Sequence, residues 1–296
     1  MPIFLLIERP ELMDEPKFHT DTGWRDAQPE VRDMLEQWCL NKTKDEICPL
    51  AQQLRIKMTP VNAPQDLLDS EQFAARDWWK TITTTAGHTI QIPTPPWKLT
   101  GEQLAPLQPA PALNQHEPLA AKQQAKRTNA WPALSAEKPL AGIRVLEITK
   151  AWAGPLAGRH LADMGADVFV IDPPAGQATR VHHFPGGPDQ MWPHFYNRGG
   201  GFNQFNRNKR GLALDIRHPD GRQQILDMVK NIDVLLENNT VRVMPNFQLD
   251  YETLKAVNPK LVMCSISGFG ANGPHANYFA TGKILEASGG LVAQTG

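Results

Sequence analysis

The chain has 296 residues, of which 41% are hydrophobic and 21% charged, enough apolar material for one large core or two modest ones. Its 30 basic and 31 acidic residues leave a formal net charge of -1, so no overall field would gather nucleic acid or an anionic membrane, and neither is an expected partner. Mean hydropathy is -0.40, and no apolar run approaches the length that crosses a bilayer, which reads as a soluble chain.

The opening MPIFLLIERP has only a short apolar run, no basic start and an acidic segment directly after it. That is not the pattern of a signal peptide, and a cytoplasmic location is expected. Across residues 29–54, helical spacing of Val31, Leu35 and Trp38, then of Ile47, Leu50 and Leu54, predicts two helices that each bury one face. SEQFAARDWW reads as a helix end, and WKTITTTAGHTIQIP, alternating around Ala86 and Gly87, as a β-hairpin closed off by Pro93, Pro95 and Pro96. Cys39, Cys48 and Cys264 are odd in number, and none lies in a metal-type pair. Reduced, mostly buried thiols are expected, with no local His and orienting partner to make any of them a nucleophile.

Beyond Gly101 the composition turns to Pro, Ala, Gln and Glu, poor in core-building residues. Residues 117–138 are read as a linker between a first segment, 1–116, and a second, 139–296. From Leu140 onward strands and helices alternate. IRVLEIT has an apolar run suited to a strand covered on both faces, LAGRHLADMGA reads as a helix opened by Gly154 and Pro155, and DVFVID as a second strand. GLALDI, a helix over residues 220–230, IDVLLEN, a helix around residues 251–257 and LVMCSIS complete the pattern. The expected fold is α/β: a Rossmann-like parallel sheet half-domain preceded by a small helical plus β-hairpin segment.

Ligands of such sheets sit at the carboxyl ends of the strands. After the first strand come Lys150, Ala151, Trp152 and Ala153 and then Gly154-Pro155, where small residues and a helix start suit an anionic or carbonyl group. The same Gly and Pro also serve simply to turn strand into helix. Asp172 stands where a dinucleotide fold places its ribose-binding acid, but the turn has one Gly before Pro instead of three spaced glycines, which argues against NAD. The run Asn206, Arg207, Asn208, Lys209, Arg210 puts three cations ahead of GLALDI and reads either as a solvated face or as a phosphate clamp. His182 and His183 are adjacent without a carboxylate partner, so no metal site is assigned there.

The segments PLAGIRVLEITKAWAGPLAGRHLADMGADVFVIDPP, NRNKRGLALDIRHPDGR, DVLLEN and NPKLVMCSISGFGANGP resemble, in order, the signatures of class III coenzyme A transferases of the CaiB/BaiF type, which include formyl-CoA transferases. They span residues 139–296 and match the amino-terminal, nucleotide-binding part of that family. RPELMDEPKF, the Trp-containing helix pair, MTPVNAPQDLLDSEQFAARDWW and PAPALNQH are similar to the family's carboxyl-terminal portion. An end followed by a beginning implies a piece of a tandem two-unit member or a split gene product, and the polar linker favours the tandem.

In that family an aspartate attacks an acyl-CoA thioester to give an acyl-aspartyl anhydride, CoA stays bound, and a second carboxylic acid collects it. The resemblance therefore implies an acyl-CoA:carboxylate CoA-transferase. Its substrates would be acyl-CoA and a carboxylic acid, with coenzyme A a substrate and not a tightly held cofactor, and with an interlocked homodimer or a complementary chain as partner. The family's aspartate falls beyond the match to Gln294, Thr295 and Gly296, so no residue takes the catalytic role. The isolated chain is expected to be inactive, or a CoA-binding subunit. Carried over by motif, Lys150, Ala151, Trp152, Ala153, Asn208, Lys209, Arg210 and Asn238 would contact CoA. Members often read Glu-Asn-Phe-Arg-Pro-Gly where this chain has Glu237-Asn238-Asn239-Thr240-Val241-Arg242, and a later family Arg is matched by Asn246. Arg242 stands close enough to compensate. Residues 280–284 lack the His of related racemases, which favours transfer over racemisation.

Overall fold

A computed structural model describes residues 2–101, 105–115, 138–173 and 199–296. Most of the expected linker, and His182 and His183, lie outside the described residues. The chain divides into two compact units, Met1–Ala110 with Gly268–Gly296, and Pro111–Ser267. No described helix is long and apolar enough to cross a membrane.

The first unit opens with helix α1 (Pro2–Leu6), two 3-10 turns (Pro10–Asp14 and Pro16–His19) and α2 (Asp21–Asp26), followed by α3 (Gln28–Cys39) and α4 (Lys44–Gln53). The opening apolar run is core: Phe4, Ile7, Leu12, Phe18, Ala27 and Val31 form one cluster. Phe4 and Phe18 stand 4.6 Å apart, and Trp24 meets both edge-on, the geometry in which ring edges face ring faces. Helix α4 starts at a capping box, the Glu46 carboxylate accepting from the Thr43 amide at 2.7 Å, which satisfies donors that the helix itself leaves over. Val31, Leu35 and Trp38 face the core as their spacing predicts. The second helix corrects the expectation at one position. Its inward face runs through Ile47, Cys48, Ala51 and Gln52, so Leu50 stands on the flank, 41% exposed. Short helices α5 (Pro64–Leu68) and α6 (Glu71–Ala75) lead to the hairpin β1 (Trp79–Thr83) and β2 (Thr89–Pro93), paired antiparallel from Thr83 with Thr89 to Trp79 with Pro93. Gly87 closes its turn at φ +83°, a left-handed conformation that costs glycine little.

The second unit carries β3 (Arg144–Ile148), α7 (Ala153–Asp163), β4 (Asp167–Asp172), α8 (Gly200–Asn206), β5 (Arg210–Ala213), α9 (Pro219–Val229), β6 (Val234–Glu237), α10 (Val243–Asn246), α11 (Tyr251–Val257) and β7 (Val262–Ser265). The strands form a five-stranded sheet in the order β5-β4-β3-β6-β7, with every pair parallel. Both faces are covered near the centre. Leu146, Ile148 and Leu235 pack with Ile225, Val229 and Leu254 on one side; Val145, Val168 and Leu236 pack with Ala162 on the other. An apolar run without alternation is what such a doubly covered strand requires. The fold is thus α/β: one unit is a Rossmann-like parallel sheet, and the other is helical with a β-hairpin. After β7 the chain returns to the first unit, where α12 (Gly282–Ser288) and α13 (Leu291–Thr295) end it.

Candidate functional site

The chain lays β4 and β5 to one side of β3 and then crosses to place β6 and β7 on the other. The reversal lies between β3 and β6, the point in such a sheet where ligands sit at the carboxyl ends of the strands. Two loops meet at it. Lys150, Ala151 and Trp152 join β3 to α7, and Asn238 to Arg242 follow β6. The Asn238 side chain binds both backbone groups of Lys150: its Oδ1 accepts from the Lys150 amide at 2.7 Å, and its Nδ2 donates to the Lys150 carbonyl at 2.7 Å. Asn239 Nδ2 donates to the Ile148 carbonyl at 3.2 Å. An amide side chain supplies one donor and one acceptor, the complement of a peptide group, so Asn238 fixes the turn without bringing charge to it.

The turn itself is unusual. Ala151 has φ +60°, a left-handed conformation that costs a residue with a Cβ. Helix α7 then approaches the sheet closely. A Cβ on Gly154 would lie 2.5 Å from Thr149 Cβ and 2.9 Å from Asn238 Cγ, and one on Gly158 would lie 1.8 Å from Glu147 Oε2. Glycine at these positions therefore makes room for packing. Lys150, Ala151 and Ala153 are exposed, and the Trp152 indole is 60% exposed with its ring 4.9 Å from that of Phe205.

The cations expected in a phosphate clamp are placed differently from one another. In a parallel sheet, residues before a strand lie at the opposite end from residues after it; Asn206 to Lys209 precede β5, and Arg210 is its first residue. Arg207 pairs with Asp163 at 2.6 Å, and Asn208 Nδ2 donates to the same carboxylate at 2.8 Å. Arg210, 70% exposed, stands 3.2 Å from Asp167 at the start of β4. Neither Asn208 nor Arg210 reaches the turn. Lys209 does, but from inside: its side chain is 1% exposed, its ammonium 2.8 Å from Glu147 Oε2 and 2.8 Å from the Pro155 carbonyl. Burial pushes Glu147 up and Lys209 down from their ordinary pKa values, each opposed by the charge of the other. Arg242 is exposed at the start of α10, after β6, and so belongs to the carboxyl edge. So does Arg217, which the sequence reading passed over; it follows β5 and chelates Asp215, with Nη2 2.7 Å from Oδ2. The signal for it was position after a strand, obscured by the denser run of charge before it. Among the described residues no group of His, Cys, Asp and Glu could hold a metal ion.

The glycine-rich motif GFGANGP lies in the first unit, where buried Gln72 reads its backbone. Gln72 Nε2 donates to the carbonyls of Phe269 at 2.6 Å and Asn272 at 2.8 Å, and Oε1 accepts from the His275 amide at 2.8 Å. Gly270 and Gly273 have φ +88° and +92°, and a Cβ on Gly273 would lie 2.5 Å from Gln72 Oε1. Gln52 does the same for Phe279, accepting from its amide at 2.7 Å and donating to its carbonyl at 3.3 Å.

A family model described as CoA-transferase family III matches residues 3–117 and 140–296. The succinate–glutarate CoA-transferase of Agrobacterium fabrum is 37% identical over 152 residues, which cover 49% of this chain and 36% of that protein. The acetyl-CoA:oxalate CoA-transferase of Acetobacter aceti is 35% identical over 144 residues, covering 48% and 35%. A crystal structure of a CAIB/BAIF family protein from Brucella suis aligns with 36% identity and a TM-score of 0.45, covering 52% of this chain and 39% of that one. The chain spans about a third of the length of the curated relatives it matches.

Proposed function

The chain belongs to CoA-transferase family III, and from that premise we propose that it is part of an acyl-CoA:carboxylate CoA-transferase whose second unit holds coenzyme A at the carboxyl edge of the sheet. The observation that carries this reading is the turn of residues 150–153, held by Asn238 at the point where strand order reverses. Amides at the start of α7 present positive partial charge to an anion or a thioester carbonyl. Lys150 and Arg242 supply full charges on the same edge for phosphate oxygens, whereas Arg217 there is paired with Asp215. Arg210, paired at the amino end, has no part in it.

The reaction in this reading is nucleophilic. A carboxylate attacks the thioester carbonyl, the C–S bond breaks, and the acyl group stays on the enzyme as a mixed anhydride while the thiolate remains bound for return to a second acid. The residues at the edge position the carrier, and a second CoA-transferase chain, a copy or a complement, completes the enzyme. A second reading, a CoA-binding subunit without turnover, draws support from the carboxylates nearby. Glu147 is enclosed with Lys209, Glu237 accepts from the Asn239 amide at 2.7 Å, and Asp215 is chelated by Arg217.

Calorimetric titration of CoA tests the assignment. The wild type binds, Asn238→Ala binds about tenfold more weakly for the loss of a net hydrogen bond or two, and Arg210→Ala binds as the wild type does. A wild-type chain that takes up no CoA, or an Asn238→Ala variant of unchanged affinity, removes the carboxyl edge as the site.

A further inference from the structure

Glu147 is a charged residue among the apolar residues of the central strand β3, fully buried, whereas Arg144 at the start of the strand is exposed. Its carboxylate gathers both ends of the turn. On the incoming side, Thr149 Oγ1 donates to Glu147 Oε1 at 2.5 Å. On the outgoing side, the Lys209 ammonium bridges Glu147, 3.0 Å from Oε1 and 2.8 Å from Oε2, to the Pro155 carbonyl in the first turn of α7. Residues 150–154 lie between these two anchors, with Asn238 gripping Lys150 in the middle. The helix is hollowed to admit the pair: a Cβ on Gly158 would meet Glu147 Oε2 at 1.8 Å and Lys209 Nζ at 3.2 Å.

Burying two charges is expensive, and apolar residues of similar volume often hold a fold as well or better. What apolar residues cannot do is bind a hydroxyl at one end of a loop and a carbonyl at the other. We propose that Lys209 and Glu147 are positioning residues for the coenzyme-binding turn, setting the direction of its amides by tying Thr149, through the carboxylate, and Pro155, through the ammonium, to one ion pair. Lys209 acts on the ligand through α7 and does not touch it. The proposal rests on the reading of the turn as a CoA site.

The test removes the pair without leaving an unpaired charge. Glu147→Leu with Lys209→Met is compared with the wild type by thermal melting, by hydrogen exchange of the peptide covering residues 149–156, and by calorimetric titration with CoA. The double variant is expected to melt near the wild type, to exchange the turn amides at least tenfold faster, and to bind CoA at least tenfold more weakly. A folded double variant with wild-type exchange and wild-type affinity overturns the proposal and leaves the CoA site standing. If the wild type itself takes up no CoA, the CoA reading falls, and exchange alone decides positioning: an unchanged turn overturns it. Should the double variant not fold, Thr149→Val, which keeps the ion pair and removes only the incoming anchor, carries the test. Faster exchange at the turn, with several-fold weaker CoA binding and an unchanged melting temperature, supports positioning; no change in either refutes it.

Discussion

Replacing Gln72 by Leu keeps the volume of the side chain and removes all of its polar contacts. Three backbone groups of the glycine loop then lose their partner, the carbonyls of Phe269 and Asn272 and the amide of His275. At about 1 kcal/mol net for each bond, the loop loses about 3 kcal/mol of local stability. That is about two factors of ten in its opening equilibrium. Because the chain has two units, a single melting curve does not isolate this loss, and hydrogen exchange of the peptide covering residues 269–279 is the suitable assay. Gln72→Glu is the sharper control. It can still accept from the His275 amide, but it turns a carboxylate oxygen toward two carbonyls that the amide now reaches at 2.6 and 2.8 Å, so it should open the loop as readily as Leu does despite its near-identical shape. Exchange in Gln72→Leu within twofold of the wild type would refute the idea that the amide holds the loop.

Gly158→Ala should destabilise the second unit by about 3 kcal/mol, since its methyl would overlap the enclosed Glu147 carboxylate and the helix cannot move outward without loosening the core; urea unfolding followed by far-UV circular dichroism measures this. Asp163 is held down to about 2 from its ordinary 3.8, chiefly by the hydrogen bond from Arg207. Its folded pKa is depressed, so its contribution to stability is present above the ordinary carboxylate range and is lost as pH falls through about 2; carboxyl NMR titration should show this midpoint, and Arg207→Ala should raise it. Burial pushes the Cys48 thiol up to about 11 and raises that of Cys264 as well, but Cys264 is exposed on β7 and Cys48 is buried, so a thiol reagent at neutral pH should modify Cys264 before Cys48, which should react only on unfolding, as peptide mass mapping would report. Asn238→Asp loses the donor to the Lys150 carbonyl when ionised and regains one when protonated; CoA affinity of this variant should therefore rise as pH falls through the carboxylate range, while that of Asn238→Ala should show no such rise.

The strands of the second unit were legible because their burial demands it. IRVLEIT could not be half solvated, and β3 is covered on both faces. The helix over residues 251–257 was equally plain, with Asp250 accepting from the Thr253 amide at 3.1 Å where a helix start needs an acceptor. The fate of Lys209 was legible too, though only from another residue. A carboxylate in the middle of an apolar run has to find a buried partner, and Glu147 should have claimed a cation before any ligand did; the cation lies 62 residues away, beyond the reach of a local charge count. Gln52 and Gln72 gave no such sign. Their partners are main-chain groups about 200 residues distant, and a peptide group has no sequence signature, so two polar residues at the core of the first unit look like any others on a helix.

The chain holds its unusual backbone by two means, and the difference between them has a physical basis. The glycine loop of the first unit and Lys150 in the second are each gripped by a neutral amide, which matches a peptide donor and acceptor at once and carries no charge to desolvate. Such a grip is indifferent to pH and salt. The Glu147 and Lys209 pair does what an amide cannot, because it must reach two anchors on separate elements, Thr149 on the strand end and Pro155 on the helix. An ammonium with three donors and a carboxylate with two oxygens span that gap, at a desolvation cost that the enclosed geometry has to offset. The turn is thus fixed by an amide where one peptide is held and by an ion pair where two elements must be brought into register.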